Sequence, residues 1–413
     1  MVTKYDVFET VYKYQHPIKP IEVLKMLNKS DREYDNVLRL FIELVNEDLL
    51  IKTPYGFQVK KNDKSKTLHS IIYHCLSNDL NYNSLIDSSL MQFVSLALRQ
   101  KEITSKDVSL SPKTLKKYID ILNENSLILI ISEKPLRVKV FYNILLNNLL
   151  VYLGYMHDVI TEDGTDYLEE ISRELALFKK LRKGKEQRYK QIIEELEVYF
   201  IHHSLSLEGN PITLPQTRKI LKDKIIPSNL RTGDVDEIKN YQKVIFQVIQ
   251  DSQNKRPLTI PTILNYHGLA MAHIPEIAGK IRKTEVYIKG NPNFKITKAK
   301  KIEEELNKLL KAYNEFINKR SSLKETLAFA VYFHNEFQHI HPFIDGNSRT
   351  TRLITFHLLQ SLDIPILDIP FGLLDEYLSY TKGSKKREDM RLYKTLQKII
   401  LFNLNKINEK LKF

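Results

Sequence analysis

The sequence predicts a mainly α-helical protein, in which an all-helical C-terminal core with one short β-hairpin follows N-terminal modules of helices and small strands. Apolar residues between Leu323 and Phe337 recur with the 3.6-residue period of a buried helix. The charged segment 161–195 has an apolar stripe and is also predicted to be helical. At 413 residues, the chain has room for two to four domains.

The first predicted module, residues 1–62, has the element order of a winged helix. Its helices are predicted at 7–14, 20–26 and 31–46, and its strands at 50–52 and 55–59. The two strands are paired around a turn at Pro54 and Gly56, where the second strand begins. Three helices followed by a two-stranded wing are typical of that module.

A second predicted winged-helix module, residues 85–150, repeats this order. Its elements are predicted at 92–100, 104–108, 112–125, 127–132 and 136–141. Ser111 and Pro112 suit the N-cap and the first position of its third element, the candidate recognition helix. Three lysines follow that can neutralise DNA phosphates: Lys113, Lys116 and Lys117.

DNA binding by these modules is one of two interpretations. Residues 1–150 contain 21 Lys or Arg and 17 Asp or Glu, a net charge of +4, whereas the whole chain carries +13. The excess positive charge therefore lies mostly outside this region. Winged helices also bind proteins and form dimers, so the expected partners of the modules are DNA, another protein or a second copy of the chain in a homodimer.

Residues 151–200 are predicted to be a helical linker, and residues 201–413 the core domain. The linker has an apolar stripe that includes Leu168 and Ile171, and Gly184 marks a predicted break. Its basic residues are interpreted as a solvated helix face.

The segment that begins at His341 has the composition of a phosphate-handling active site. His341 titrates near neutrality and can take a proton from a hydroxyl. The Asp345 carboxylate is a hard oxygen ligand suited to Mg²⁺. Gly346 and Asn347 tolerate the backbone geometry that directs N–H groups at an anion.

A helix is predicted to follow this loop, because apolar residues recur at helical spacing between Arg349 and Gln360. Phosphate would then sit at a helix N-terminus. Arg349 and Arg352 lie three residues apart on one face of that helix, where both guanidiniums can bind phosphate oxygens.

The segment 341–352 resembles the signature of the Fic (filamentation-induced-by-cAMP) family, His-x-Phe-x-Asp/Glu-Gly-Asn-x-Arg-x-x-Arg. It departs from the family at Ser348, where glycine is usual. The resemblance covers roughly residues 190–400. It implies ATP as substrate, with phosphate contacts from Gly346, Asn347, Ser348, Arg349 and Arg352 and with Mg²⁺ on Asp345.

The resemblance further implies a protein adenylyltransferase. His341 would deprotonate a Ser, Thr or Tyr hydroxyl of a protein target or of the chain itself, and that hydroxyl would attack the α-phosphorus of ATP. Two alternatives stay open. One is removal of AMP or transfer of another phosphate-containing group, and the other is a DNA-binding regulator whose Fic domain senses nucleotide or modifies itself.

An upstream segment, Ser204 to Gly209, resembles the inhibitory motif of the family, Ser/Thr-x-x-x-Glu-Gly/Asn. A Glu208 carboxylate paired with Arg352 would occupy the place that the ATP γ-phosphate needs. The resemblance therefore implies that Ser204 and Glu208 form a built-in brake. The plainer interpretation, that Gly209 ends a surface helix, is compatible with that role.

Between the two motifs, Val286, Tyr287 and Ile288 are predicted to form a short strand that enters a turn. Fic proteins carry a β-hairpin flap here that docks the target by strand addition, and the lead-in from Gly279 to Arg282 is similar to theirs. Residues 280–301 contain eight Lys or Arg and one acidic residue. That charge favours either an acidic target surface or a solvated lysine face.

Composition argues against several other classes. The single cysteine, Cys75, excludes an intramolecular disulfide and a cysteine metal site, which favours a reducing, cytoplasmic setting. The N-terminus lacks the apolar core of a signal peptide, and no run of about 18 apolar residues indicates a membrane span. His334 and His339 are five residues apart, so they do not share a helical face as zinc-hydrolase histidines do.

Overall fold

A computed structural model describes residues 2–155, 164–288, 291, 294–381 and 387–412. The chain divides into two compact units, Met1–Gln100 with Ile144–Val159, and Lys101–Asn143 with Ile160–Phe413. Helices dominate and the strands are short, as the sequence predicts. None of the described helices combines the length and the apolar composition of a membrane-spanning segment.

The helices and strands are numbered in chain order. Up to Tyr152 they are α1 (Lys4–Tyr14), α2 (Pro20–Met26), α3 (Tyr34–Asn46), β1 (Leu50–Thr53), β2 (Gly56–Val59), α4 (Asp63–Ser77), α5 (Tyr82–Leu85), α6 (Ser88–Leu98), β3 (Ile103–Thr104), α7 (Pro112–Glu124), β4 (Ile128–Glu133), β5 (Leu136–Val140) and α8 (Ile144–Tyr152). Beyond it they are α9 (Leu168–Arg182), α10 (Glu186–Ser206), α11 (Leu214–Arg218), α12 (Thr232–Gln253), α13 (Ile260–Ala270), α14 (Ile302–Ile317), α15 (Leu323–Ile340), α16 (Asn347–Ser361), α17 (Leu374–Tyr380) and α18 (Asp389–Lys412).

The first unit contains the helices and the two-stranded wing predicted for residues 1–62. α1 begins at a capping box, in which Thr3 and Asp6 accept hydrogen bonds from each other's backbone N–H. β1 and β2 pair antiparallel. Ile18 adds an isolated bridge to Phe57, so the wing is joined to the helical part of the module.

The predicted second module, residues 85–150, is divided between the two units. α6 and α8 belong to the first unit, whereas β3, α7, β4 and β5 belong to the second. The three strands form one sheet in the order β3-β5-β4. The predicted element at 104–108 is the end of β3 and a turn, because Asp107 accepts hydrogen bonds from the N–H and the hydroxyl of Thr104.

The helices predicted for the linker pack into the second unit. α9 lies along α18, and α10 continues beyond residue 200 to Ser206. The predicted break near Gly184 is present between α9 and α10, where Gly184 has a φ of 73°. These helices are therefore part of a core and not a separate spacer.

α15 and α16 position the candidate site. They pack against each other, and α12 packs against α16. α15 begins at a capping box formed by Ser322 and Glu325. The helices predicted at 323–337 and 349–360 are confirmed, and the loop between them, residues 341–346, carries the first half of the motif.

Candidate active site

Asn347 closes the loop between α15 and α16. Its side chain accepts a hydrogen bond from the Phe343 N–H and donates one to the Phe343 carbonyl, both at 2.9 Å. Phe343 is fully buried and stacks on His267, with ring centroids 3.6 Å apart. The Asn347 side chain thus shapes the loop, and only its backbone N–H remains for the predicted phosphate contact.

Gly346 stands where a side chain would not fit. Its φ is 78°, in the left-handed region that favours glycine. A Cβ atom there would lie 2.8 Å from Met271 Sδ. Gly346 precedes α16 and offers no side-chain cap, and Ser348 is half-buried in the first turn. Such a first turn presents N–H groups in the arrangement that binds phosphate.

His267 on α13, which no sequence motif marks as functional, supports this loop. Its Nδ1 accepts a hydrogen bond from the Gly279 N–H at 2.9 Å, so the ring proton lies on Nε2. Nε2 donates to the Asp345 carbonyl at 3.0 Å. Burial lowers the pKa of His267 to about 4, which keeps the ring neutral. A lone histidine in an apolar helix gave no sequence signal for this role.

His341 ends α15 with a left-handed φ of 48°. Its Nδ1 lies 3.3 Å from the Gln338 carbonyl, and a proton donated there leaves the Nε2 lone pair available. Burial lowers the pKa of His341 to about 4, so the imidazole is neutral at pH 7. This is the protonation state that a general base requires.

Asp345 is the exposed acidic group of the loop, with 57% of its side chain accessible. Its Oδ1 accepts a hydrogen bond from the Gly346 N–H at 2.6 Å, and its Oδ2 accepts one from Arg349 at 3.0 Å. Within the described part of the chain, no group of three or more His, Cys, Asp or Glu could hold a metal by itself. One exposed carboxylate beside a helix N-terminus can supply one of the oxygen ligands that Mg²⁺ prefers.

Arg352 is buried, and its guanidinium is hydrogen-bonded to the predicted inhibitory motif, residues 204–209. Its Nε donates to Ser204 Oγ at 2.6 Å, while its Nη2 donates to the Ser204 carbonyl at 2.9 Å and to Glu208 Oε1 at 3.0 Å. Burial acts to lower the pKa of Arg352, but the Glu208 carboxylate together with the hydroxyls of Tyr241 and Tyr377 more than compensates, and that pKa lies above its usual range. The structure therefore brings Ser204, Glu208 and Arg352 together.

The end of α10 fixes the position of Glu208. The Asn210 N–H donates to the Leu205 carbonyl at 3.1 Å, and Gly209 adopts a left-handed φ of 94°. The helix-ending role of Gly209 and the placement of Glu208 beside Arg352 are thus parts of one turn.

Arg349 is buried between two carboxylates. Its Nη1 donates to Glu237 Oε1 on α12, and its Nη2 donates to Asp345 Oδ2 at 3.0 Å. No motif in the sequence points to Glu237, which lies four residues before the buried Tyr241 on the same helix. An acidic residue on the apolar stripe of a helix is the signal that could have found it.

The predicted strand at Val286, Tyr287 and Ile288 is not formed. These residues have no regular secondary structure, Tyr287 is 83% exposed, and the tip of the predicted hairpin lies outside the described residues. A strand requires a hydrogen-bonded neighbour. The returning segment bonds instead to the end of α15, where the Thr297 N–H donates to the His339 carbonyl at 2.8 Å.

Arg282 joins this flap segment, residues 283–298, to the active-site loop. Its side chain is fully buried, and its Nε donates to the His341 carbonyl at 2.8 Å. Its two terminal nitrogens donate to the carbonyls of Thr284 and Thr297. One guanidinium thus holds both ends of the flap segment against the predicted base. The lead-in sequence already pointed to this arginine, but not to its partners.

The lysines predicted to contact DNA lie on α7. This helix begins as expected, with Ser111 as N-cap and Pro112 as first residue. Its exposed charged side chains are Lys113, Lys116, Lys117, Asp120 and Glu124. Among the described residues, no hydrogen bond or ion pair joins these lysines to the 341–352 motif.

Comparison with known proteins relates this site to a family. Residues 257–359 match the sequence model of the Fic/DOC family. A protein adenylyltransferase Fic of Drosophila persimilis is 31% identical over 192 residues, which cover 45% of this chain and 36% of that protein. The protein of the same name from Drosophila melanogaster is 30% identical over 192 residues, 45% of this chain and 37% of that protein. The chain thus spans little more than a third of the length of these relatives.

A solved structure shares the fold. It is that of a Fic-domain-containing signalling protein from Bacteroides thetaiotaomicron, which matches with a TM-score of 0.52 and 21% sequence identity. The match covers 59% of this chain and 96% of the other. At this identity the likeness concerns the fold alone.

Proposed function

This chain carries a Fic domain, and on that premise we propose that it transfers AMP from ATP to a Ser, Thr or Tyr hydroxyl of a protein target or of itself, under inhibition by Glu208. The observation that carries the proposal is the buried ion pair between Glu208 and Arg352, close to a loop that begins with a neutral histidine, His341. The name of the Drosophila relatives, protein adenylyltransferase Fic, supports this reaction.

In the proposed reaction, His341 accepts at Nε2 the proton of the attacking hydroxyl. The hydroxyl oxygen bonds to the α-phosphorus, the bond from that phosphorus to the bridging oxygen breaks, and pyrophosphate leaves. The negative charge of the bound phosphates favours the imidazolium as it forms. The contact of Nδ1 with the Gln338 carbonyl keeps the ring oriented throughout.

The triphosphate charge is assigned to the first turn of α16 and to the arginines. The groups are the guanidiniums of Arg349 and Arg352, the backbone N–H groups of Asn347 and Ser348, and the N–H of Gly346 once it exchanges its hydrogen bond to Asp345 Oδ1 for a phosphate oxygen. Mg²⁺ on Asp345 would neutralise part of the phosphate charge. Arg352 is available to a γ-phosphate only when Glu208 withdraws, because its Nη2 already donates to Ser204 and Glu208.

Incubation with Mg²⁺ and ATP labelled at the α-phosphate tests this proposal. The Glu208→Gly variant is expected to transfer at least about tenfold more label than wild type, since the substitution frees the charged Arg352 guanidinium to bind ATP. His341→Ala in that background should transfer none. Glu195→Ala is the matched control, because Glu195 lies on α10 but pairs with Lys410, and it should label like wild type. Absence of transfer by Glu208→Gly would refute the proposal.

The position of the label separates this reaction from other phosphate-group transfers. Retention of a γ-label on protein would indicate phosphorylation, and loss of AMP from a pre-modified protein would indicate the removal reaction. Transfer of the α-label with release of pyrophosphate is the proposed outcome.

DNA binding by α7 is a second candidate function, and the exposure of Lys113, Lys116 and Lys117 on two successive turns supports it. Fluorescence anisotropy with a labelled duplex at several salt concentrations measures it. Replacement of all three lysines by alanine should reduce the slope of log affinity against log salt by about three. An unchanged slope would contradict this role. Light scattering on the same samples would detect a homodimer.

A further inference from the structure

Arg349 is held by a carboxylate that lies outside both motifs. Glu237 on α12 is separated from Arg349 by 112 residues in the sequence, and the two side chains form an ion pair. Glu237 is 9% exposed and Arg349 is 5% exposed. A carboxylate is rarely buried without a partner that compensates its lost hydration, so this pair is a built contact and not a surface encounter.

Both carboxylate oxygens of Glu237 are engaged. Oε1 accepts from Arg349 Nη1, and Oε2 accepts from Asn210 Nδ2 at 2.8 Å. Asn210 is itself fixed, because its Nδ2 also donates to the Asp234 carbonyl at 3.1 Å and its Oδ1 accepts from the Ile212 N–H at 3.0 Å. Glu237 therefore has one defined orientation, which is set from the turn that follows Glu208.

The orientation of Glu237 determines that of Arg349. The guanidinium is planar, and it binds Glu237 through Nη1 and Asp345 through Nη2. A free arginine side chain carries about 2 kcal/mol of rotamer entropy, which a site must overcome before it can use that donor. Two carboxylates at opposite terminal nitrogens remove this freedom before any nucleotide arrives.

We propose that Glu237 is a positioning residue that holds Arg349 ready for a nucleotide phosphate, and that Asn210 holds Glu237. This inference rests on the proposed function. The turn 208–210 then has two opposite effects on the arginines. Through Glu208 it withholds Arg352, whereas through Asn210 and Glu237 it prepares Arg349.

The two effects can be separated by mutation. Glu208→Gly removes the brake and leaves Asn210 in place, so nucleotide affinity should be highest in this variant. Loss of the Asn210 side chain in the same background should weaken nucleotide binding, although it removes a further part of the inhibitory turn. If the turn served inhibition alone, loss of the Asn210 side chain would strengthen nucleotide binding or leave it unchanged.

ATP binding to the full chain, measured by calorimetry in the Glu208→Gly background, tests the inference. Glu237→Ala should raise the Kd for ATP about tenfold, or about 1.4 kcal/mol, because Arg349 loses a carboxylate that orients it. Glu237→Gln keeps an acceptor for Arg349 and should lie between Glu237→Ala and the parent. Asn210→Ala should raise the Kd roughly threefold, as expected for one neutral donor. The control is Asp236→Asn, a half-buried neighbour on α12, which should bind like the parent.

Two further readouts distinguish positioning from a general loss of structure. In Glu237→Ala, the KM for ATP should rise by a larger factor than kcat falls. The double variant of Glu237→Ala and Arg349→Ala should bind ATP as weakly as Arg349→Ala alone, because Glu237 acts through that arginine. Thermal unfolding of each variant identifies any that fails to fold. If Glu237→Ala fails to fold, Glu237→Gln still tests the role of the carboxylate, because glutamine retains the shape of the side chain.

The possible failures are distinct. If ATP binds to the Glu208→Gly chain and Glu237→Gln leaves its Kd unchanged or lowers it, this inference is overturned while the proposed function stands. If that chain binds ATP but transfers no AMP, the proposed reaction fails and the Kd values still decide the role of Glu237. If the chain binds no ATP, both are refuted.

Discussion

The active-site loop, residues 341–346, and the flap segment, residues 283–298, are neighbours that are built differently. In the loop, Phe343 is fully buried and Asn347 satisfies both of its backbone groups. In the described part of the flap segment there is no strand, and Tyr287 is 83% exposed. Contacts within the chain determine the loop, whereas the described part of the flap segment is held at Thr284 and Thr297 and presents Tyr287 to solvent between them. We therefore expect mutations in the loop to alter nucleotide chemistry and mutations in the flap segment to alter target recognition.

Arg282 connects the two regions, so its loss should have the largest effect. Arg282→Ala would leave the carbonyls of His341, Thr284 and Thr297 without their donor. This should cost about 3 kcal/mol or more, since each lost bond to a charged donor costs roughly 1–3 kcal/mol. Thermal unfolding followed by circular dichroism should show a lower Tm, with Arg282→Lys in between. An equal loss in Lys280→Ala, whose side chain is exposed, would contradict the role of Arg282.

Asn347→Ala should disrupt the loop and leave the flap segment intact. It removes both hydrogen bonds to Phe343 and leaves a buried N–H and a buried carbonyl unpaired, at a cost of about 2 kcal/mol. Hydrogen exchange should become faster at Phe343 and stay unchanged at Thr297. Unchanged protection at Phe343 would show that other contacts hold the loop.

Neutral histidines should make the region around the loop sensitive to acid. Burial lowers the pKa of His267, His334 and His341 to about 4, whereas an unfolded histidine titrates near 6.5. Between these values the unfolded chain binds more protons. Stability is thus complete above about pH 6.5 and declines toward pH 4, by about 1 kcal/mol or more per histidine.

Urea unfolding at pH 7 and pH 5 measures this decline. His267→Gln, which keeps a polar side chain without a titrating group, should show a smaller difference between the two pH values. Equal stability at both pH values would contradict the neutral, buried state of these rings.

Tyr287→Ala should have the smallest effect on the folded chain. Its side chain is exposed, so stability should change by less than about 0.5 kcal/mol. The affinity for ATP should stay the same, while the KM for a protein target should rise. A changed ATP affinity would show that the flap segment and the nucleotide site are coupled, and would contradict the separate effects expected for the loop and the flap segment.

The elements that the sequence predicts well are those with local causes. The helices that became α15 and α16 follow from apolar periodicity, and the start of α7 follows from Ser111 and Pro112. The pairing of Glu208 with Arg352 was expected only through the family motif, since no local rule joins residues 144 positions apart.

The elements that the sequence misjudged depend on distant partners. Val286 to Ile288 have strand propensity, but no described segment pairs with them. Residues 85–150 are divided between the two units according to the elements that each helix or strand packs against. The order of elements along the sequence does not reveal these packing partners. Glu237 acts on a residue 112 positions away, which periodicity alone does not reveal.

α10 is long enough for a small rotation at its start to displace Glu208, which lies beyond its far end. Its 21 residues form a rod about 30 Å long, from the break near Gly184 to the turn that carries Glu208. A tilt of about 5° around its first turn would move its far end by about 3 Å, as the helical rise implies. That displacement equals the 3.0 Å separation between Glu208 and Arg352. A small angular change at one end of this helix would therefore be enough to separate the proposed inhibitory carboxylate from Arg352 at the other.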